Sequence, residues 1–397
     1  MIEETFRYYN TFSEHAIVFK EKNYRLNYFF SIVLFAFAFV FKLDLICGKL
    51  FDKLLCRIKL SDDIVYFTFT LNQITINEHI VRDVVKIKGY DFIKINRLFI
   101  IRYFILILAI IKESKSVFKA LWNSHDLLHI FQNPRKFVEL FGYRIIFENL
   151  LSECSTLIHY NDHSLKNTLL FDVAKAKGIK TIYIQHAPVS KRFPSLYNDL
   201  NVLFSLDSLN KYSNEFKKKV FVYFDSRFIK LKAIERSTLL NSVLICTNGL
   251  DSIEKVFDLV VFLNRYRINS VVRIHPGDKR NWSKYNFVMS YNKKISDDLR
   301  NFDFVICNES AVVLDSIFQN NFLFVCPFLG INEDFIDGYE YFKNGLLNKY
   351  FNSMPDLLDA LNARMCTYNS SNINFYIGDR NMENELNFKL KSEILYL

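Results

Sequence analysis

Short apolar runs alternate with longer amphipathic stretches through the first half of the chain, from residue 63 onward. The runs are rich in β-branched and aromatic residues, which is typical of strands. They cover residues 63–70, 90–95, 155–160, 180–184 and 201–205. One amphipathic stretch, 164–177, ends at Gly178, and glycine commonly terminates helices. Strands that alternate with helices of this length pair in parallel, so the pattern predicts an α/β domain.

The same rhythm starts again after a charged stretch at 216–236 that contains neither glycine nor proline. Strand-like runs cover residues 242–246, 270–274, 302–307 and 322–327, and helix-like stretches cover 252–266 and 311–319. We therefore predict two doubly wound, Rossmann-like α/β domains preceded by extra N-terminal apolar helices. The predicted limits are 1–60 for the apolar helical region, 61–215 for the first domain, 216–237 for the connection, 238–366 for the second domain and 367–397 for a tail helix.

Length and composition agree with two folded domains. The chain has 397 residues, and 50% of them are hydrophobic, which excludes a disordered protein. Its net charge of +9 suits anionic partners such as phosphates, nucleotides, acidic glycans or the inner leaflet of a membrane. The sequence has no zinc finger, no RNP-like aromatic motif and no dense basic helix, so nucleic acid is not expected as a partner.

Cysteine usage and the N-terminus predict a reducing, cytoplasmic location. The seven cysteines are scattered and form no C-x-x-C pair, so we expect reduced core thiols and no structural zinc. Residues 1–10 are acidic and polar and do not resemble a cleavable signal. Two apolar segments, 26–41 and 98–111, are shorter than the roughly 20 residues that span a bilayer. They fit either buried core helices or a peripheral contact with the inner face of the plasma membrane.

Polar residues cluster where the predicted strands end. In doubly wound sheets the ligand binds beyond the carboxyl ends of the strands, at the point where the strand order reverses. Five strand ends carry such residues, namely Asn161-Asp162-His163, Gln185-His186, Thr247-Asn248-Gly249, His275-Pro276-Gly277 and Asn308-Glu309-Ser310. We therefore expect the functional site among these loops.

Two of these loops have features suited to a phosphate. Ser310 precedes the predicted helix 311–319, so its hydroxyl and the following amides could bind a phosphate, or the serine could simply cap the helix. His275 could donate to a phosphate or a nucleobase, with Arg273 adding positive charge, or it could bind only a backbone carbonyl. Asp315 could orient a ribose hydroxyl or favour the helix N-terminus through its charge.

Two residues in the first half are candidates for a general base. His186 ends a predicted strand, and the ordinary pKa of histidine lies near neutrality, so its ring could accept a proton from a hydroxyl. The carboxylate of Asp162, at the end of the neighbouring strand, could do the same. None of the loops contains a D-x-D pair that would hold a divalent ion, so we predict metal-independent chemistry that relies on positive side chains and helix ends.

Two of these motifs carry a resemblance to a known group of enzymes. Arg273-Ile274-His275-Pro276 looks like the HP motif, and the segment 310–315 looks like the serine-led helix, of bacterial sialyltransferases, polysialyltransferases and CDP-glycerol glycerophosphotransferases. These are GT-B glycosyltransferases and relatives, and the resemblance extends over about residues 63–365. The segment 185–188 resembles their His-Gly base segment, with Ala187 in place of glycine. The acidic pair followed by glycine that sialyltransferases carry is absent.

The resemblance implies a metal-independent GT-B glycosyltransferase without a cofactor. It would move a sugar from a nucleotide donor, with a CMP-linked donor as the first candidate, to a hydroxyl of a surface polysaccharide or lipooligosaccharide. The partners would be a nucleotide-sugar donor bound by the second domain and a glycan or lipid-linked glycan acceptor bound by the first. His186 or Asp162, the two candidate bases at the strand ends, would be catalytic. The resemblance carries over His275, Pro276 and Ser310 as donor-binding residues, and positions near the same strand ends add Arg273, Glu309, Asp315, Thr247, Asn248 and Gly249.

Three alternatives stay open at this stage. A CDP-alditol phosphotransferase would use the same scaffold and the same motifs. A nonhydrolytic UDP-sugar 2-epimerase has a similar two-domain form and needs no acceptor. A non-catalytic membrane-associated scaffold would be built around the apolar segments 26–60 and 98–111.

Overall fold

The computed structural model describes part of the chain. The described residues are 64–68, 80, 91–94, 144, 147–148, 151, 154–160, 165–190, 196–212, 219–228, 242–278, 280–292, 294–331 and 337–395. The predicted N-terminal helices and the apolar segments 26–41 and 98–111 lie outside these residues. Among the helices of the described residues, none combines the length and the apolar character needed to cross a membrane.

The first sheet contains the strands that the apolar runs predict and one more, which lies within the segment 216–237 predicted as the connection. The strands are β1 (Ile64–Thr68), β2 (Asp91–Lys94), β3 (Thr156–His159), β4 (Lys180–Ile184), β5 (Leu200–Leu203) and β6 (Lys219–Val222), in the order β2-β1-β3-β4-β5-β6. The pairs β1 with β2, β1 with β3, and β3 with β4 are parallel. Four consecutive residues of β4, from Thr181 to Ile184, are buried, as expected for a strand covered on both faces.

Two helices with described limits accompany this sheet. Helix α1 (Leu165–Ala176) connects β3 to β4, and its end is followed by Gly178, whose φ of +69° favours glycine. Helix α2 (Leu206–Lys211) follows β5, and the hydroxyl of its N-cap Ser205 accepts a hydrogen bond from the Ser208 amide. The sequence predicts α1 but not α2, because six residues are too few to show a helical period.

The second sheet is fully parallel. Its strands are β7 (Ser242–Cys246), β8 (Asn269–Arg273), β9 (Phe304–Cys307) and β10 (Phe322–Val325), in the order β10-β9-β7-β8. Each corresponds to a predicted strand, so the prediction of a mixed α/β chain with parallel sheets is confirmed. With the strands numbered in chain order within each sheet, the first sheet has the order 2-1-3-4-5-6 and the second has 2-1-3-4, and both are doubly wound orders.

Helices cover both faces of the second sheet. They are α3 (Ile253–Arg265), α4 (Ile295–Asn301), α5 (Val312–Phe318), α6 (Met354–Ala363) and α7 (Ile373–Ile377). A further helix, α8 (Glu383–Leu395), follows them in the chain. Apolar side chains of α3 and α6 pack with Val243 and Ile245 on one face of β7. Side chains of α4, α5 and α7 pack with Leu244 and Cys246 on the opposite face.

The link from α7 to α8 comes very close to the strand ends of the first sheet. Gly378 follows α7 with φ 81° and ψ 169°, a region of backbone space that is essentially restricted to glycine. A Cβ atom at this position would lie 2.5 Å from the carbonyl oxygen of Tyr223 and 2.6 Å from that of Phe204. This approach is therefore open only to a residue without a side chain.

The described residues belong to two compact units. One contains the described residues up to Ile184 together with 196–201 and 391–395, and the other contains the described residues within 185–190 and 202–390. The domain limits drawn from the sequence stay a prediction.

Candidate functional site

The strand order of the second sheet creates a crevice at the carboxyl ends of β7 and β9. These two strands are neighbours, but β7 leads into α3 on one face of the sheet and β9 leads into α5 on the other. Where adjacent strands connect to opposite faces, the loops diverge and leave room for a ligand. The loops at this switch point are 247–252 and 308–311, and the loop after β8, beginning at Ile274, lies beside them.

Hydrogen bonds join the predicted residues of these three loops. The Thr247 hydroxyl lies 3.3 Å from the carbonyl oxygen of Arg273 and 3.4 Å from the amide nitrogen of His275. The Asn248 side chain donates to the carbonyl oxygen of Glu309 at 3.4 Å. The Asn248 side-chain oxygen also accepts from the Leu250 amide at 2.7 Å, which is the local turn that asparagine favours.

A buried carboxylate that the sequence analysis missed lies between the two switch-point loops. Asp251 is fully buried, and its carboxylate accepts from the Asn248 amide at 2.7 Å and from the Asn308 side chain at 2.9 Å. Burial raises the pKa of Asp251 to about 6, although these donors and Arg280 counteract the effect. The only local signal is the Asn-Gly turn before it, because a single aspartate in a loop has no distinctive pattern.

Arg280 supports the loop after β7 from outside. Its guanidinium donates to the carbonyl oxygens of Asp251 and Asn248 and forms an ion pair with Asp278. Asp278 in turn accepts from the Trp282 indole at 3.1 Å. These contacts keep the loop in one conformation while the positive charge of Arg280 is largely neutralised by Asp278.

The His275 ring has a described hydrogen bond at Nδ1 and none at Nε2. The Gly277 amide donates to Nδ1 of His275 at 3.1 Å, so the neutral ring carries its hydrogen on Nε2. Burial lowers the pKa of His275 while the charge of Asp278 opposes this change. His275 and Pro276 are both exposed, and the neutral His275 ring would offer Nε2–H as a hydrogen-bond donor.

Ser310 does not cap helix α5. The N-cap residue of α5 is Ala311, and the helix has no side-chain cap bond. The Ser310 carbonyl accepts from the Val313 amide at 3.2 Å, while its hydroxyl makes no hydrogen bond to any residue that the structure describes. The capping role considered from the sequence is thus not what the geometry shows.

Glu309 lies at the end of β9 as predicted, but its carboxylate is occupied within the protein. It accepts from the amides of Gly338 and Tyr339 at 2.7 and 2.8 Å. Burial raises the pKa of Glu309 to about 7, and these two amides counteract the rise. Lys211 holds the same turn by donating to the Tyr339 carbonyl at 2.8 Å and to Asp207 at 2.7 Å. Glu309 therefore anchors a turn.

Arg273 and Asp315 are both buried, and the charges that act on their side chains lie outside the three loops. Arg273 forms a buried ion pair with Asp298. Asp315 is buried, and burial raises its pKa to about 6 while the charge of Arg227 lowers it. Neither side chain is brought together with His275 and Ser310 by a described contact.

The loop after β4 carries His186. The neighbouring Gln185 is buried and fixes this loop: its side chain donates to the Ala187 carbonyl and to the Ser208 hydroxyl, both at 2.8 Å. It also accepts from the Phe204 amide at 2.8 Å. Asp162, the other candidate base, lies outside the described residues. Gly249 is exposed, and a side chain there would meet no atom within 4 Å.

Within the described part of the chain, no three His, Cys, Asp or Glu side chains are grouped so that they could hold a metal ion.

Comparison with known proteins gives a likeness only at the level of whole structures. No family model and no curated protein sequence matches the chain. The UDP-N-acetylglucosamine 2-epimerase from Rickettsia bellii superimposes with a TM-score of 0.46 at 10% identity, covering 84% of this chain and 95% of that one. MurG of Acinetobacter baumannii gives 0.46 at 10% identity, covering 83% and 99%. The wall teichoic acid polymerase TagF gives 0.46 at 11% identity, covering 94% and 99%. Likeness at this level does not establish a shared activity.

Proposed function

We propose that the chain is a GT-B glycosyltransferase whose nucleotide-sugar donor binds at the carboxyl ends of β7 and β9. The observation that carries the proposal is the switch-point crevice, where the exposed His275 on the loop after β8 and the Ser310 hydroxyl on the loop after β9, which has no described hydrogen bond, lie on either side of the loop after β7. Both groups are donors, as a phosphate requires. A nucleotide is the ligand class that such crevices commonly hold.

His275 and Ser310 hold the phosphate next to the sugar in this proposal. During transfer negative charge develops on the leaving phosphate, and fixed donors aimed at it stabilise the transition state. Desolvation lowers the pKa of His275, which favours the neutral ring, and a neutral ring contributes a directed hydrogen bond. Asn248, Thr247 and Gly249 form the adjoining wall, and the exposed Gly249 leaves the backbone accessible to the ligand.

His186 deprotonates the acceptor hydroxyl in the same proposal, with Asp162 as the alternative base. The support is the resemblance of the segment 185–188 to a base-bearing segment and the fixing of that loop by Gln185. The reaction would need no metal ion. The resemblance of the His-Pro and serine segments favours a cytidine nucleotide, CMP-linked first, and a glycan or lipid-linked glycan acceptor.

A thermal-shift screen with CMP, CDP, UDP and GDP tests this proposal. We expect CMP to raise the melting temperature, because a ligand at about a hundredfold its Kd stabilises the native state by about 2.7 kcal/mol. The shift should be lost in His275→Ala and retained in Tyr291→Ala, since Tyr291 is 89% exposed and takes no part in the loop contacts described above. If none of the four nucleotides shifts the wild type, or if His275→Ala responds like the wild type, the proposal is wrong.

A CDP-alditol phosphotransferase is the second candidate, because the His-Pro and serine segments resemble those of CDP-glycerol enzymes equally well. Donor hydrolysis distinguishes the two. We expect the protein to release CMP from a CMP-linked sugar and to leave CDP-glycerol intact. Turnover of CDP-glycerol alone would establish the phosphotransferase instead. Strict preference for UDP-linked donors would contradict the phosphotransferase and the cytidine nucleotide of the leading proposal.

A further inference from the structure

We propose that Asp251 and Asn308 are a positioning pair that sets the distance between the two loops at which the nucleotide binds. This inference rests on the proposed function. Asp251 belongs to the loop after β7 and Asn308 to the loop after β9, and their side chains are joined by a hydrogen bond of 2.9 Å. The pair thus connects the two sides of the switch-point crevice directly.

Because Asp251 is buried, it can affect a ligand only through the residues that it contacts. The residue is 0% exposed, so its carboxylate does not reach a ligand in the crevice. Both of its oxygens are used, one by the Asn248 amide and one by the Asn308 side chain. The separation of the two loops is therefore fixed before a ligand contacts Asn248 or Ser310. Binding then costs less conformational entropy, because the loops are already ordered.

The hydrogen-bond roles in this pair are strictly matched. The Asn308 side chain donates through Nδ2 to Asp251, while its Oδ1 accepts from the amide of Glu309 at 2.7 Å. Asp251, in its ionised form, only accepts. The two side chains have nearly the same shape and differ in one group, an amide against a carboxylate oxygen. The pair can therefore be exchanged without changing the packing.

Among the described residues, the charged side chains that act most strongly on Asp251 are those of Arg280 and Asp278. Arg280 and Asp278 act on it from the segment after β8, and the buried thiols of Cys246, Cys307 and Cys326 lie within its electrostatic influence. None of these groups is altered by the exchange of the two side chains. The exchange also leaves the net charge of the chain unchanged.

Single and double substitutions isolate the contribution of the pair. Asp251→Asn places a donor where two donors already point, and Asn308→Asp places two carboxylates against each other. Each single variant should weaken CMP binding about tenfold. The mismatch releases the two loops from their fixed separation, so that ordering them again becomes a cost of binding. In the double variant the new amide at 251 donates to the new carboxylate at 308, the amides of Asn248 and Glu309 regain acceptors, and affinity should return to within about threefold of the wild type.

Calorimetric titration with CMP measures these affinities, and urea unfolding of each variant reports its folding. Glu254→Gln is the matched control, because it removes an exposed carboxylate from the start of α3, close to Asp251 in the chain. We expect its affinity to equal that of the wild type. If a single variant does not fold, recovery of both folding and CMP affinity in the double variant supports the pair, and a double variant that folds but binds CMP weakly overturns it.

Different failures have different meanings. If the wild type binds none of CMP, CDP, UDP and GDP, the proposed function fails and the role of the pair fails with it. If the wild type binds CMP and the single variants bind it equally well, only the positioning role is overturned. A double variant that regains full stability but still binds CMP weakly also overturns that role, since it would mean that one of the two native side chains contacts the ligand.

Discussion

Individual residues at the ends of β7, β8 and β9 differ in how much of their hydrogen-bonding capacity the protein itself uses. Glu309 has both carboxylate oxygens engaged by backbone amides, and Arg273 is paired with Asp298. Among the described residues, the His275 ring has a hydrogen bond only at Nδ1, and the hydroxyl of Ser310 has no partner. The sequence predicts that all four lie at strand ends, but the direction of a side chain depends on partners far away in the chain, such as Gly338 for Glu309.

The pKa of Glu309 leads to a prediction about stability and pH. Folding raises this pKa from 4.5 to about 7, so between these values the folded state binds a proton that the unfolded state has released. The contribution of Glu309 to stability is therefore present at low pH and is lost as the pH rises to about 7. Relative to Glu309→Gln, the wild type should gain free energy of unfolding when the pH is lowered from about 7 to about 5.

Urea unfolding at several pH values measures this difference. The comparison with Glu309→Gln removes the contributions of other carboxyl groups with raised pKa values, such as Asp207 and Asp315. A difference between wild type and variant that increases with rising pH would contradict the prediction. It would mean that the amides of Gly338 and Tyr339 stabilise the carboxylate more than burial penalises it.

Most helices and strands could be predicted from local patterns, and those that were missed have physical reasons. Strands β7 and β4 match their predicted limits because apolar runs end abruptly at polar loops there. Helices α2 and α4, of six and seven residues, are too short for their period to be visible. Helix α6 did have a start signal, Ser353 followed by Met354-Pro355, and the Ser353 hydroxyl does accept from the Asp356 amide.

The segment between α7 and α8 supplies a prediction for one glycine. Gly378→Ala should lower the free energy of unfolding by roughly 2–4 kcal/mol, because a Cβ atom would overlap two carbonyl oxygens in a backbone conformation that disfavours side chains. Gly249→Ala is the control, since a Cβ there meets nothing within 4 Å. Denaturant unfolding of both variants measures the effect. Equal stability of the two variants would show that the chain relieves the overlap by moving the link between α7 and α8.

At the scale of the whole molecule, the candidate site is located by the order of the strands in the second sheet and not by their positions in the sequence. The sequence predicts alternating strands and helices, but the order β10-β9-β7-β8 is decided by which helix packs on which face. That packing depends on long-range contacts, which local periodicity does not contain. The general rule that ligands bind at strand ends selects five loops from the sequence, and only the observed order singles out those after β7 and β9.

The link between Asp251 and Asn308 also has a consequence for the divergence of related chains. Because one side chain must accept where the other donates, a change at either position alone leaves a mismatch in a buried place. Relatives that keep this crevice should therefore vary at the two positions together, as aspartate with asparagine or asparagine with aspartate. Such covariation between loops about sixty residues apart in the chain would mark the hydrogen bond as inherited.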